Sequence, residues 1–356
     1  IFGIFLWSLF AVNTVVFVSG RSLFRGYWDL WLYRLLGKRV VRVFLGSDSR
    51  PKYLSGPHDD VINSLTEKQA CRRLAASVRR QQKRIARMSA WSDVVVENPL
   101  CGHFQTKPFV SWFCVGFPHD PGFFQQEKSA TAELQEDGGS RRFKVLHCPS
   151  NPRIKGTDRV DAIMQRLQQD GMELNYVRIT GMPHHIVLQH LQTCDFVIDE
   201  LYSDTPMAGF ASEAAAYGRP VLVGGYGWDC IRRSVPGEFI PPNLCINPDD
   251  FERLLPDLIR DRPRCQQAGE QALEFMNGCW HYSSVADRFM RILAGDIPDE
   301  WWVSPESIDY WQGLGSTQVH REQVLKNYLQ HEGLKALQVN PAGRFYSLMS
   351  EWHEQV

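Results

Sequence analysis

Two short stretches hold the residues whose types and spacing are best suited to chemistry. The first is His147–Asp158, HCPSNPRIKGTD, where an apolar strand gives way to a basic loop and then a helical pattern. A diphosphate needs positive charge and backbone N–H donors, and a helix N-terminus supplies the donors. Lys155 and Arg153 supply the charge, Gly156 lets an oxygen approach the backbone, and Thr157 or Asp158 caps the helix. The second is Phe210–Gly225, FASEAAAYGRPVLVGG. Here Glu213 is expected to open a small-residue helix that Gly218 stops, with Pro220 and an apolar strand directly after. A carboxylate at the mouth of a parallel sheet is well placed to grip the hydroxyls of a ribose. Gly181, Gly209, Phe210, Ala211 and Ala214 are expected to complete that surface. Either stretch alone is an ordinary basic loop or a helix-start glutamate. Together, in this order in one β-α-β array, they point to a nucleotide-sugar site.

The elements that would position these residues alternate in type. Strands are expected at Phe143–Cys148, Leu174–Ile179, Phe196–Ile198 and Val221–Val223. Helices are expected after Thr157, at His184–Thr193 and around Glu213. That is one half of a doubly wound parallel sheet, spanning residues 143–297. Residues 1–127 repeat the alternation, with strands at Arg39–Leu45, Asp93–Val96 and Phe109–Val115 and a basic helix at Glu67–Ala90. Gly46, Ser47 and Asp48 end the first of these strands, with Arg50 beyond; they suit a turn and cap as well as a cleft. Polar residues 128–142 are expected to link the two domains, and residues 298–356 to form a helical extension packed back on the body.

The chain has 356 residues, 44% of them hydrophobic and 22% charged, the composition of a two-domain globular protein. A net charge of -1 excludes an overall electrostatic drive toward nucleic acid. Nine dispersed cysteines without a CxxC pair read as reduced thiols of a cytoplasmic protein, and no spacing suits a metal. The apolar opening, IFGIFLWSLFAVNTVVFVSG, is long enough to cross a bilayer. Ser8, Asn13 and Thr14 interrupt it, favouring a helix at Ile1–Phe10 and a buried strand at Val15–Val18. The cations of the basic helix, among them Arg72, Arg73, Arg79 and Arg80, are a solvated face or a contact for the inner face of an anionic membrane.

The array PSNPRIKGTD, CDFVIDEL and GFASEAAAYGRPVLV resembles the C-terminal half of GT-B glycosyltransferases, most like the retaining glycosyltransferase family 4. The resemblance implies two Rossmann-like domains facing a cleft, with an N-terminal domain that looks incomplete. It implies that Lys155 and Arg153 hold the donor diphosphate, that Glu213 binds the ribose, and that no metal is needed. The co-substrate would be a nucleotide-diphosphate sugar and the acceptor a glycan, a lipid-linked sugar or a small molecule. Two positions depart from the pattern. Thr205, with Asp204 beside it, stands where the family often has a glutamate, and Leu45 stands where many members have a histidine. These departures keep open a binding or scaffold protein without turnover, and more remotely a sugar-nucleotide epimerase.

Overall fold

The computed structural model describes residues 1–56, 66–125 and 142–354. Two five-stranded sheets organise the chain. The first contains β1 (Thr14–Val18), β2 (Arg39–Val43), β3 (Val94–Glu97) and β4 (Phe109–Ser111), all parallel. The second contains β5 (Phe143–His147), β6 (Leu174–Arg178), β7 (Phe196–Ile198), β8 (Val221–Gly224) and β9 (Leu244–Ile246), in spatial order β6-β5-β7-β8-β9 and parallel throughout. A last short strand, β10 (Trp302–Val303), returns to the first sheet and pairs antiparallel with β4. The architecture is two Rossmann-like lobes facing a cleft.

Short β-branched runs make the strands, and both faces of the second sheet are covered. Adjacent residues of β5 show this: Val145 packs in one apolar cluster with Val160 and Ile163, while Leu146 packs in another with Leu188 and Ala211. That second cluster runs on into the first lobe, so the joint between the lobes is apolar. The covering helices include α1 (Phe2–Ala11), α2 (Trp28–Leu35) and α3 (Glu67–Ala90) in the first lobe. In the second they include α4 (Thr157–Gln169), α5 (His184–Thr193), α6 (Gly209–Ala216) and α7 (Arg262–Asn277). The alanine-rich α6 lies close to α7. Gly218 ends α6 at φ 67°, and a Cβ on Gly269 would stand 2.2 Å from the Gly218 carbonyl oxygen.

The C-terminal segment stitches the lobes together. After β10, Leu314 bridges to Ser55, and α8 (Gln318–Glu332) packs on α3. Arg321, fully buried, donates from Nη1 to the Tyr53 carbonyl at 2.8 Å and from Nη2 to Ser316 Oγ at 2.9 Å.

Two expectations need correction. The strand expected at Phe109–Val115 stops at Ser111, and Trp112–Val115 forms one helical turn ended by Gly116 at φ 85°. An unbroken apolar run cannot by itself distinguish the two. Helix α1 and strand β1 occur where the opening run was divided, but β1 is an edge strand that buries only Phe17, with Val16 and Val18 exposed. The polar residues 128–141 expected as a linker lie outside the described residues. Among the described residues no helix is long and apolar enough to cross a membrane.

Candidate functional site

The second sheet changes winding direction between β5 and β7, because the chain leaves β5 for β6 on one side and returns to β7 on the other. Ligands of open α/β sheets bind at the carboxyl ends of strands at such a point. The basic loop follows β5, and Asp199 and Glu200 follow β7. Lys155 and Glu213 open onto one cavity there, of about 530 Å³. Cys148 and Ser150 from the β5 loop, Gly181 after β6, and Gly209 and Phe210 of α6 share its wall.

The helix starts are arranged differently from the sequence expectation. α6 begins at Gly209, so Glu213 sits at its fifth residue rather than in its first turn. No side chain caps α6, which leaves its first N–H groups unpaired at the cavity edge. Ala211 and Ala214 are fully buried and serve packing. Glu213 Oε1 lies 2.8 Å from His184 Nε2. The N-cap of α4 is Gly156, not Thr157 or Asp158. At φ 69°, Gly156 turns its open side to Tyr202 and Leu201, where a Cβ would meet atoms at 2.9 and 3.0 Å. Packing, not ligand approach, therefore demands a glycine. Thr157 is buried, and its hydroxyl is 2.9 Å from His147 Nε2, whose Nδ1 is 2.8 Å from the Ile198 carbonyl oxygen. Arg153 is exposed and is not part of the cavity wall.

Lys155 is nearly buried and pairs with Asp199, with Glu200 Oε2 at 3.9 Å. Burial works against its charge, but Asp199 and Glu200 more than offset that, so its pKa lies above the ordinary value. Burial lifts Glu200 to about 7 against the pull of Lys155, with Asp199 adding to the rise. Asp199 Oδ2 is buried without a partner. Sequence reasoning gave this acidic pair no role. Its link to Lys155, 44 residues away, is a product of β5 and β7 lying side by side. Among the described residues, no cluster of three His, Cys, Asp or Glu side chains could hold a metal ion.

A second cavity, of about 260 Å³, lies between the lobes and shares Ala208 and Gly209 with the first. From the first lobe, Leu45, Gly46 and Arg50 reach it after β2, and Asn98 after β3. Thr205 and Met207 reach it from the second lobe. Thus both departures from the family pattern, Leu45 and Thr205, border one space. Ser47 and Asp48 do not line it: Ser47 is exposed, and Asp48 packs beside Gly20 while its carbonyl accepts from Arg84. Arg50 Nε donates to Asp204 Oδ2 at 2.6 Å in a buried ion pair that joins the lobes. Burial opposes the Arg50 charge, and the Asp204 carboxylate overcomes it, raising its pKa. Cys101 Sγ is 3.2 Å from the same oxygen.

Behind this pair lies Glu97, one residue past the strand expected at Asp93–Val96 and the last residue of β3. It is fully buried and accepts from Ser49 Oγ at 2.8 Å, the Asn98 N–H at 3.1 Å and Gln105 Nε2 at 3.2 Å. Burial outweighs these bonds and the nearby Arg50, lifting its pKa to about 8. Gln105 Oε1 is buried with no partner. Turning that amide over would let its oxygen accept a hydrogen bond from the protonated Glu97 carboxyl. Because the folded pKa exceeds the unfolded one, the folded state holds the proton more tightly, and stability falls as pH rises from about 4.5 to 8. Buried His103 acts oppositely: burial lowers it to about 4, so stability falls as pH drops below 6.5. The two offset one another in the acid range, leaving Glu97 the larger influence above pH 6.5, with a smaller one of the same sign from Glu200. Between pH 6.5 and 8 the wild type should lose about 2 kcal/mol, a drop of a few degrees in Tm. Glu97→Gln should flatten that decline; an equal decline in the variant would show that Glu97 is not its source.

No protein-family model and no curated protein matches the chain. Solved structures resemble it in part. Anabaena HepE in complex with UDP is 10% identical, with 83% of this chain and 81% of that one covered, at a TM-score of 0.47. Starch synthase IV from Arabidopsis thaliana, bound to ADP and acarbose, is 13% identical over 82% and 74%, at 0.45. WaaG, a glycosyltransferase involved in lipopolysaccharide biosynthesis, is 14% identical over 77% and 85%, at 0.37. At such scores these likenesses carry nothing about the chemistry.

Proposed function

We propose that this chain is a glycosyltransferase that moves a sugar from a nucleotide-diphosphate sugar to an acceptor held between the lobes. The observation that supports this most is that Lys155 and Glu213 open onto one cavity at the switch point of a parallel sheet, and that this cavity adjoins the interlobe space at Ala208 and Gly209. Lys155 and the uncapped N-terminus of α6 face the diphosphate, and Glu213 faces the ribose. Arg153 assists from the loop. An acceptor hydroxyl oxygen bonds to the anomeric carbon as the carbon–oxygen bond to the diphosphate breaks, and the proton leaves with the released nucleotide. Attack from the same face gives retention, and no metal takes part. For an acceptor carried on lipid, the exposed cations of α3 are the surface that would meet an anionic bilayer from the cytoplasmic side.

A second reading, nucleotide-sugar binding without turnover, is favoured by one feature. Arg50 and Asp204, the charged groups lining the interlobe cavity, neutralise each other, and Leu45 and Thr205 add no base. A panel of UDP, GDP, ADP and their sugars in thermal unfolding, followed by assay of nucleotide release with acceptors, separates the readings. A ligand at 100-fold its Kd should stabilise the protein by about 2.7 kcal/mol. Stabilisation without release in the presence of any acceptor supports the second reading, and no stabilisation by any nucleotide contradicts both.

Glu200 gives the donor site a pH dependence. Below about pH 7 its carboxyl is neutral, and Lys155 is freer to meet a diphosphate. UDP should therefore bind on the order of tenfold more tightly at pH 6 than at pH 8, beyond the nucleotide's own titration. Glu200→Gln retains only the nucleotide's part and should bind tightly at both. Identical pH profiles for the two proteins in calorimetric titration would exclude this role.

A further inference from the structure

We infer that the interlobe cavity takes a flat, neutral, apolar ring compound, which under the proposed transfer reaction is the acceptor. This rests on that reading only for the word acceptor; the binding claim stands on the cavity itself. Its walls are Phe44, Trp112, Phe117, Met207 and Trp280, with Leu45 at the rim. Trp112 and Trp280 meet edge to face, with centroids 5.6 Å apart and planes at 80°, so the fully buried Trp280 backs the partly exposed Trp112, on which a ring can stack.

Most polar side chains of the cavity are already engaged. Arg50 and Asp204 pair with each other, so neither offers a free charge to an anionic acceptor. Asn98 Nδ2 donates to the Asp204 carbonyl at 3.0 Å, and its Oδ1 accepts from the Leu100 N–H at 2.9 Å. Ser212 Oγ donates to the Gly209 carbonyl at 2.7 Å. A sugar ring placed here would leave several hydroxyls unpaired, each a penalty of about 1–3 kcal/mol. An aromatic ring loses nothing on that account and gains by area. The hydroxyl of one wall residue, Thr205 Oγ1, is buried without a partner, which suits a ring carrying one polar substituent. At about 260 Å³ the space is below the usual 300–1,000 Å³ of small-molecule sites, so one or two fused rings fit and an oligosaccharide does not.

The test is calorimetric titration of the whole chain with 2-naphthol, with maltotriose as the polyol control, and separately with UDP. Two substitutions at half-exposed rim positions spare the fold: Phe117→Ala removes a wall and Leu45→Asp places a charge at the mouth. The expected result is single-site 2-naphthol binding, weakened about tenfold or more by each variant, no maltotriose binding, and unchanged UDP affinity. Binding of 2-naphthol that neither variant weakens, or binding of maltotriose in its place, overturns the inference. Loss of the inference with UDP still bound leaves the donor site intact. Bound 2-naphthol with no affinity for UDP removes the donor site and leaves the inference standing.

Discussion

Lys155→Ala should reduce UDP affinity by about 100-fold. The amine is the cation on the wall of the switch-point cavity, and a charge-assisted bond to phosphate is among the strongest a side chain makes. The substitution also strips two buried carboxylates of their counter-charge. Asp199 is fully buried and already has one oxygen without a partner. Leaving such a charge unpaired costs about 3–5 kcal/mol, so the single variant will also be less stable. Lost binding could then be mistaken for lost structure. The double variant Lys155→Ala/Asp199→Asn removes the stranded charge along with the amine, and should recover most of the melting temperature without recovering UDP binding. Recovery of both would mean that Lys155 only holds the fold together, and wild-type affinity in the single variant would remove it from the donor site.

The second large effect is expected at Arg50. Its guanidinium and the Asp204 carboxylate are both buried and come from different lobes, 154 residues apart in sequence. Arg50→Met should cost about 3–5 kcal/mol, because the buried Asp204 carboxylate is left charged without its cation, with the weakly polar Cys101 thiol beside it. Arg50→Met/Asp204→Leu replaces the whole pair by apolar groups and should recover most of that loss. Urea midpoints of the two variants decide the matter. A double variant as unstable as the single would show that the pair is not an isolated charge couple but part of the wider network through Glu97. The same clamp fixes the width of the interlobe cavity, so these variants should also alter binding of ring compounds there.

What the sequence disclosed follows from which interactions are local. The β-α alternation of 143–246 was readable because each strand is a short apolar run bounded by glycine or a cap, and a parallel sheet buries both faces. The boundaries of β7 and α3 match the sequence reading to the residue. Lys155 and Glu213 stood out because each comes after a strand of one array, β5 and β7. What stayed hidden depends on contacts between distant segments. Nothing local marks Trp302–Val303 as a strand of the first sheet, since its partner β4 is nearly 200 residues earlier. Glu97 looked like an ordinary strand end until Ser49 and Gln105 closed around it. The packing need for Gly156 was equally hidden: its neighbour is Tyr202, brought in by the β7 loop.

The central claim is that the β5 loop and α6 hold a nucleoside diphosphate. Crystals soaked in turn with millimolar UDP, GDP and ADP test it most directly. The account predicts, for at least one of them, density for the diphosphate within hydrogen-bond reach of Lys155 Nζ and the first N–H groups of α6, and for the ribose against Glu213. Well-ordered nucleotide density elsewhere, with the Lys155 cavity holding only water, would contradict it.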